Sequence, residues 1–333
     1  MTSFIGFSEL CNKLSKLKGK KVLLTFHSVG DRDAVASALA LSSSLPNSIV
    51  ITPDFITNNA RRMLSKLHYE KRVKSEKEIK EETEAIIITD ANNLEALGKF
   101  AEKLMECNCE IIFIDHHAAR ESKLGGNAYI FNSEGYNSAS GIVYDALKEN
   151  GEGISKETAS LLLNGIISDS AGFQNSNPLT FKQIGELLAI SRMTYSEVSE
   201  SFHHDISADN REKMIDDLFR AERERLGEYI IMYGKSESSP SFVAETAITL
   251  GADASVFWSV RKSEATISAR MRSPLDAKLS IHLGKLMYES GKVLNGTGGG
   301  HPCAAGAYGP KKENIEKASW RILDSLRSRM SVK

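Results

Sequence analysis

The sequence predicts an α/β protein: a parallel-sheet domain first, then a helical linker, then a smaller α/β domain with a mixed sheet. Three observations predict it. Short β-branched runs alternate with helical patterns through the first half. Those runs are apolar at nearly every residue, as strands covered on both faces are. The chain of 333 residues also exceeds what a single core usually organises.

Taken in order, KVLLTF (21–26), SIVIT (48–52), AIIITD (85–90) and EIIFID (110–115) read as strands. DAVASALALSSSL after the first and NNLEALGKFAEKLME after the third read as helices, which makes the sheet parallel. RRMLSKLHYEKRVKSEKEIKEE (61–82) mixes both charge signs and reads as a solvated helix and connection. Helices follow from about 139 to 225: SGIVYDALKENG, KETASLLLNGI, FKQIGELLAI and the strongly charged NREKMIDDLFRAERERLG. This divides the chain into a domain at 1–195, a helical linker at 196–226 and a domain at 227–333. In the last, YIIMYG, SFVAETAITLG, ASVFWSV and ATISARM read as strands. The helix AKLSIHLGKLMYES, a glycine-rich loop and the helix NIEKASWRILDSLRSRM complete it.

A formal net charge of -1 argues against a duplex-DNA binder that works by neutralising many phosphates. No apolar stretch approaches membrane-spanning length, and the N-terminus lacks a secretory signal, so the expected location is cytoplasmic. Cys11, Cys107, Cys109 and Cys303 form no disulfide framework, and Cys107 and Cys109 read as two thiols near a helix end.

Polar residues gather where the strands leave the sheet. The first strand runs into His27, Asp31 and Asp33, the third into Asp90, and the fourth into Asp115, His116 and His117. Asp169 closes the later apolar run of NGIISD. Each carboxylate alone has an ordinary reading as a helix cap. The carboxyl ends of parallel strands, however, share one edge, where ligands bind in such sheets. A shared cation site accounts for all of them at once. Imidazole and carboxylate without thiolate suit manganese, with magnesium, iron, cobalt or zinc as competitors. There are enough ligands for two ions, a pairing able to clamp both oxygens of a phosphoryl displacement.

In the second domain, Gly298, Gly299 and Gly300 let backbone N–H groups approach an anion, and His301 ends that run. Arg270 and Arg272 alternate along a strand, and either guanidinium could fork onto a phosphate. His68, His203, His204 and His282 read as surface or core histidines, and Trp258 and Trp320 as packing residues. FQNSNP (173–178) follows Asp169 directly and is a weak candidate for lining the substrate cleft.

HSVGDRDAVAS, IIITD, IIFIDHH and GIISDSAGF resemble, in order and spacing, the four motifs of the DHH phosphoesterase superfamily. TISARMRS and GTGGGHPCAAGAYG resemble the signatures of its DHH-associated substrate-binding domain. The resemblance implies that His27 and Asp31 hold a first metal and Asp33 a second. Asp90 would bridge the two ions, with His116 and Asp169 completing the second site. It implies that His117 faces the scissile phosphate and that Asp115 orients an imidazole. Gly30 stands where many relatives carry Pro, which removes no ligand. The implied protein uses two divalent ions, Mn2+ before Mg2+ or Co2+. It would act as a phosphodiesterase or exonuclease on short single-stranded RNA or DNA, or on small nucleotides. The two-domain form is most similar to the oligoribonuclease and pAp-phosphatase group, since RecJ-type exonucleases usually carry extra domains. Alternatives are a pAp phosphatase, a cyclic-dinucleotide phosphodiesterase, or a non-catalytic nucleotide-binding or replication-partner protein. Inorganic pyrophosphatases share the metal motifs but have a different second domain. A homodimer is compatible with the sequence.

Overall fold

A computed structural model of the chain describes residues 3–75, 83–118, 127–170, 173, 176–200, 207–261 and 264–331. They form two compact units, Met1–His204 and Asp205–Lys333. In the first, the elements run β1 (Ser3–Phe4), α1 (Phe7–Lys16), β2 (Val22–Phe26), α2 (Arg32–Ser42), β3 (Ser48–Thr52) and α3 (Asn58–Lys66). They continue β4 (Val73–Ser75), β5 (Ala85–Thr89), α4 (Phe100–Glu106), β6 (Glu110–Asp115) and β7 (Ala128–Asn132). Helices α5 (Ala139–Glu149), α6 (Lys156–Asp169), α7 (Pro178–Ser191) and α8 (Tyr195–Glu200) follow.

The strands form one seven-stranded sheet in the order β1-β7-β6-β5-β2-β3-β4, with every pairing parallel. Alternate residues serve different cores. Leu24, Phe26, Ile87 and Ile114 pack among the helices on one face, while Leu23, Ile86, Ile88 and Phe113 pack with Leu97, Phe100 and Leu104 on the other. That double burial explains the unbroken apolar runs. From β2 the chain winds outward through β3 to β4. It then returns to β5 on the other side of β2 and winds the opposite way. The switch point lies between β2 and β5.

Three strands escape the sequence reading. β1 and β4 are short, largely exposed edges, and β7 is the third. Segment 61–82 was read as helix and connection; it holds the end of α3 and the strand β4, and residues 76–82 lie outside the described part. Cys107 and Cys109 are joined as a disulfide with their Cα atoms 5.4 Å apart, which corrects the reading of two thiols. The turn from α4 into β6 brings them together, and a bridge between residues two apart closes no long loop.

The second unit runs α9 (Ala208–Arg220), β8 (Glu222–Leu226), β9 (Tyr229–Lys235), α10 (Pro240–Thr249), β10 (Ala254–Val260) and β11 (Ala265–Met271). α11 (Leu275–Leu279), α12 (Leu283–Val293), β12 (Thr297–Gly300), β13 (Ala304–Gly309) and α13 (Ile315–Met330) complete it. The sheet order is β12-β13-β11-β10-β9-β8. It is mixed: β9 and β10 pair in parallel and every other pair is antiparallel.

Four expectations change here. AKLSIHLGKLMYES, expected as one helix, is divided between α11, ending at Leu279, and α12, beginning at Leu283. NREKMIDDLFRAERERLG is not one helix: α9 stops at Arg220, and Glu222–Leu226 becomes an antiparallel edge strand, a place that tolerates charge. SFVAETAITLG, expected as a strand, is α10. Its buried Val243, Ala244 and Ala247 follow a helical spacing behind Pro240 in the first turn. The glycine-rich loop is strand β12, paired with β13.

α9 belongs to the second unit through Asp217, which is 1% exposed. Its carboxylate accepts from the Ser236 hydroxyl at 2.9 Å and from the Glu237 and Ser238 N–H groups at 3.0 Å each. The Ser238 hydroxyl donates to it as well. Replacing Asp217 by Ala would strand these donors. Urea unfolding of Asp217→Ala is expected to show a loss of about 3 kcal/mol, the scale for buried donors left unpaired by a charged acceptor.

Candidate metal centre

β2 and β5 are neighbours, with Phe26 beside Thr89, so the residues that follow them meet at the switch point. His27 leaves β2 directly. Asp31 is the N-cap of α2: its Oδ1 accepts from Ala34 N at 3.1 Å, and its Oδ2 lies 3.8 Å from His27 Nε2. The cap and ligand readings of Asp31 are therefore compatible. Gly30 fits here because a Cβ at this position would collide with the ring of Phe26.

Asp33, in the first turn of α2, is fully buried. Its oxygens accept the N–H groups of Ala139 at 2.6 Å and Ser140 at 2.9 Å, so it also meets the positive end of α5. Gly165 of α6 makes the room: a Cβ there would sit 2.8 Å from Asp33 Oδ1 and collide with Ser140 Oγ. Burial, and then the charges of Asp169 and Asp90, push the Asp33 carboxyl well above its usual range.

Asp90 is central. Its φ of +59° is left-handed, a conformation Asp tolerates better than most residues, and its N–H donates to Ile114 O at 2.8 Å. Its Oδ2 lies 3.2 Å from His27 Nε2, while Oδ1 lies 3.4 Å from His116 Nε2 and 3.6 Å from His117 Nδ1. His116 Nε2 is also 3.0 Å from Asp169 Oδ2, at the end of α6. Asp90 Oδ1 and His116 Nε2 are nevertheless buried atoms without a hydrogen bond. Imidazoles and carboxylates packed this closely, paired by charge but without well-formed hydrogen bonds, suit a cation between them. Donor atoms within 4.8 Å of one another form three sets: His27, Asp31 and Asp90; Asp33, Asp90, His116 and Asp169; and Asp90, Asp115, His116 and His117, of which the first two are complete without His117. Asp90 is common to all three.

Asp115 and His117 stand beside them. Asp115 Oδ1 lies 2.8 Å from His117 Nδ1, which leaves the Nε2 edge of the half-exposed ring for other partners. Two residues missed in the sequence hold this loop. Asn132 Nδ2 donates to His117 O at 2.7 Å, and Asn92 Nδ2 donates to Ala118 O at 3.1 Å. Asn92 lies just past the end of β5, a signal that could have found it, whereas Asn132 ends β7.

Charge is balanced inside the cluster. Burial pulls the His27 imidazole down, but Asp31 and Asp90 outweigh it and hold it at about 10. Burial likewise opposes Asp169 and Asp90 at His116, which they raise to about 11. Burial would raise Asp90, yet His116 and His27 hold it far below the carboxylate range. Burial, with Asp90 and Asp31, lifts Asp169 to about 6 against the pull of His116. Both imidazoles thus carry protons at neutral pH when no cation is present, and a divalent cation must displace them. Affinity for Mn2+ is therefore expected to rise with pH between 6 and 9, by about tenfold per unit for each proton released. Calorimetric titration in buffers of different ionisation enthalpy measures both the affinity and the protons.

In the second unit, a cavity of about 290 Å³ is lined by Ser268, Arg270, Gly299, Gly300, Ala304 and Gly306, with Ala305 beneath. Arg270 reaches it while its Nε contacts Glu245 Oε2 at 2.8 Å. Arg272 was expected on the same face, but it lies past the end of β11 and pairs with Asp253 Oδ1 at 2.6 Å, away from the cavity. Gly298 serves packing instead, since a Cβ there would strike the Met287 carbonyl of α12. His301 is exposed; its N–H donates to Ala304 O at 2.8 Å across the hairpin. His282 caps α12, accepting from Lys285 N at 3.4 Å. His203, His204, Gln174 and Asn175 lie outside the described residues.

Residues 21–166 match the DHH family, N-terminal domain, and residues 229–328 match the DHHA1 domain. An uncharacterised protein of Methanocaldococcus jannaschii is 28% identical over 318 residues, covering 93% of this chain and 94% of that one. A protein of Streptococcus agalactiae described as a probable manganese-dependent inorganic pyrophosphatase is 30% identical over 122 residues, 34% of this chain and 37% of its own. Among solved structures, an exopolyphosphatase-related protein from Bacteroides fragilis has the same fold, with TM-score 0.78 and 19% identity over 97% of this chain and 96% of that one. No helix among the described residues is long and apolar enough to cross a membrane.

Proposed function

Because the chain belongs to the DHH phosphoesterase superfamily, with the DHHA1 domain as its second part, we propose that it is a manganese-dependent phosphodiesterase or exonuclease that hydrolyses short single-stranded oligonucleotides or small nucleotides. The observation that carries this reading is Asp90, shared by all three donor sets and holding a buried oxygen without a hydrogen bond. His27, Asp31 and Asp90 would hold one cation, and Asp33, Asp90, His116 and Asp169 a second. When bound, two such cations neutralise charge on phosphoryl oxygens and make water a better nucleophile near neutral pH.

The remaining work falls to side chains. Asp115 orients the His117 ring through Nδ1 and, as the largest influence on it, raises its pKa. His117 Nε2 is thereby suited to donate a proton to the phosphate or to the leaving oxygen. In the second unit, Arg270 and the backbone of Gly299 and Gly300 would hold a remote phosphate. A DHHA1 domain in this place favours nucleotides over pyrophosphate as substrate.

The test is a product assay with manganese-loaded protein on 5′-labelled RNA and DNA of two to about twenty-four nucleotides, a length range set to separate one-site from channel binding. A 3′,5′-bisphosphorylated adenosine, a cyclic dinucleotide and pyrophosphate run alongside. Mononucleotides released preferentially from the shortest oligomers support the reading. Cleavage of pyrophosphate alone, or of nothing, overturns it.

A further inference from the structure

The strand register of the second sheet carries the cavity floor beyond the glycines. Arg270 lies opposite Ala304, Ser268 opposite Gly306 and Thr266 opposite Tyr308. Across the next pair, Gly299 lies opposite Gly306 and Thr297 opposite Tyr308. Residues directly opposite in antiparallel strands share a face, and every second residue returns to it. Arg270 and Tyr308 therefore stand on the same face, which is also that of the cavity-lining Ser268 and Gly306. The neighbours Ala305 and Ala307 point the other way, into the core.

Tyr308 lies four residues along β13 from the partner of Arg270, about 13 Å at an ordinary strand rise. Its side chain is 49% exposed, so the ring is open to a ligand. Between the two, this face of β11, β12 and β13 carries only Gly, Ala, Ser and Thr. A polyphosphate laid there would meet a cation at one end only. A single nucleotide would meet a guanidinium at its phosphate, a smooth floor under its sugar and an aromatic face at its base. The cavity, about 290 Å³, lies at the Arg270 end of this face, and Tyr308 stands beyond its lining residues.

We propose that Tyr308 is the base-stacking residue of this site, so that the second domain selects substrates bearing a nucleobase about one nucleotide's length from the phosphate held at Arg270. The inference rests on the nucleotide reading above and deepens it. A π-face accepts any base, which makes the selection one of class and not of sequence.

The experiment is calorimetric titration of the manganese-loaded full chain with adenosine 5′-monophosphate and with ribose 5-phosphate, which offers the same phosphate without a ring. The parent is expected to bind the nucleotide about tenfold more tightly or better. Tyr308→Ala should bind both ligands equally, with ribose 5-phosphate affinity unchanged as the internal check on folding, and Tyr308→Phe should keep the gap. A parent without a gap, a gap that survives in Tyr308→Ala, or equal weakening of both ligands overturns the proposal. If the gap behaves as expected while no nucleotide is hydrolysed, the catalytic reading fails and the binding assignment stands.

Discussion

Asp90→Asn is expected to lower hydrolysis by at least about a thousandfold and to release most of the bound metal. Asn is the informative replacement. It tolerates the left-handed backbone of residue 90, where φ is +59°, whereas Ala would add strain unrelated to the chemistry. It also matches Asp in size, so the packing of the strand exit survives. What it removes is the charge that faces His27 on one side and His116 on the other. All three donor sets include Asp90, so one substitution weakens both cation positions. Metal content by atomic absorption, activity on a dinucleotide and circular dichroism separate loss of site from loss of fold. Retention of both metal and activity would mean that Asp90 only balances the two imidazoles.

The second large effect concerns His117. His117→Asn should reduce kcat on a dinucleotide by about 10²–10⁴-fold, the usual scale for a proton donor, while leaving metal content close to that of the parent. The geometry separates the two properties. His117 faces Asp115 through Nδ1 at 2.8 Å, and the donor sets around Asp33 and Asp31 are complete without it. The loss should shrink sharply on a p-nitrophenyl ester of a nucleotide, whose leaving group needs no proton. Equal losses on both substrates would assign His117 to binding the phosphate. Loss of metal would make it a ligand.

Much of this centre is legible in the sequence because His27, Asp90 and His116 follow strands directly and Asp31 and Asp33 open the helix after the first of them. A parallel sheet brings its strand exits to one edge, so the order FHSVGD, IIITD and FIDHH already implies convergence. Depth is not legible in the same way. Asp33 is seated by Ala139 and Ser140, more than a hundred residues away, and by the missing side chain of Gly165. The loop carrying His117 depends on Asn132, at the end of β7, a strand the sequence reading leaves out. In the second unit, a run of glycines has no side-chain period, so β12 reads as a loop until β13 pairs with it. Arg270 and Arg272 look alike in TISARMRS; Arg270 stays on β11 and lines the cavity, while Arg272 passes the strand end and pairs with the distant Asp253. Local pattern also misassigned SFVAETAITLG, where alternation competes with a helical spacing that the packing of Val243, Ala244 and Ala247 decides.

The central claim is that Asp90 joins two cation positions at the exit of β2 and β5. Titration of the metal-free full chain with Mn2+, followed by electron paramagnetic resonance, tests it most directly. The account predicts two ions per chain with a spin-coupled signal, lost in Asp90→Asn, where most of the added Mn2+ stays free in solution. A parent that binds one ion or none, or two that show no coupling, would contradict it.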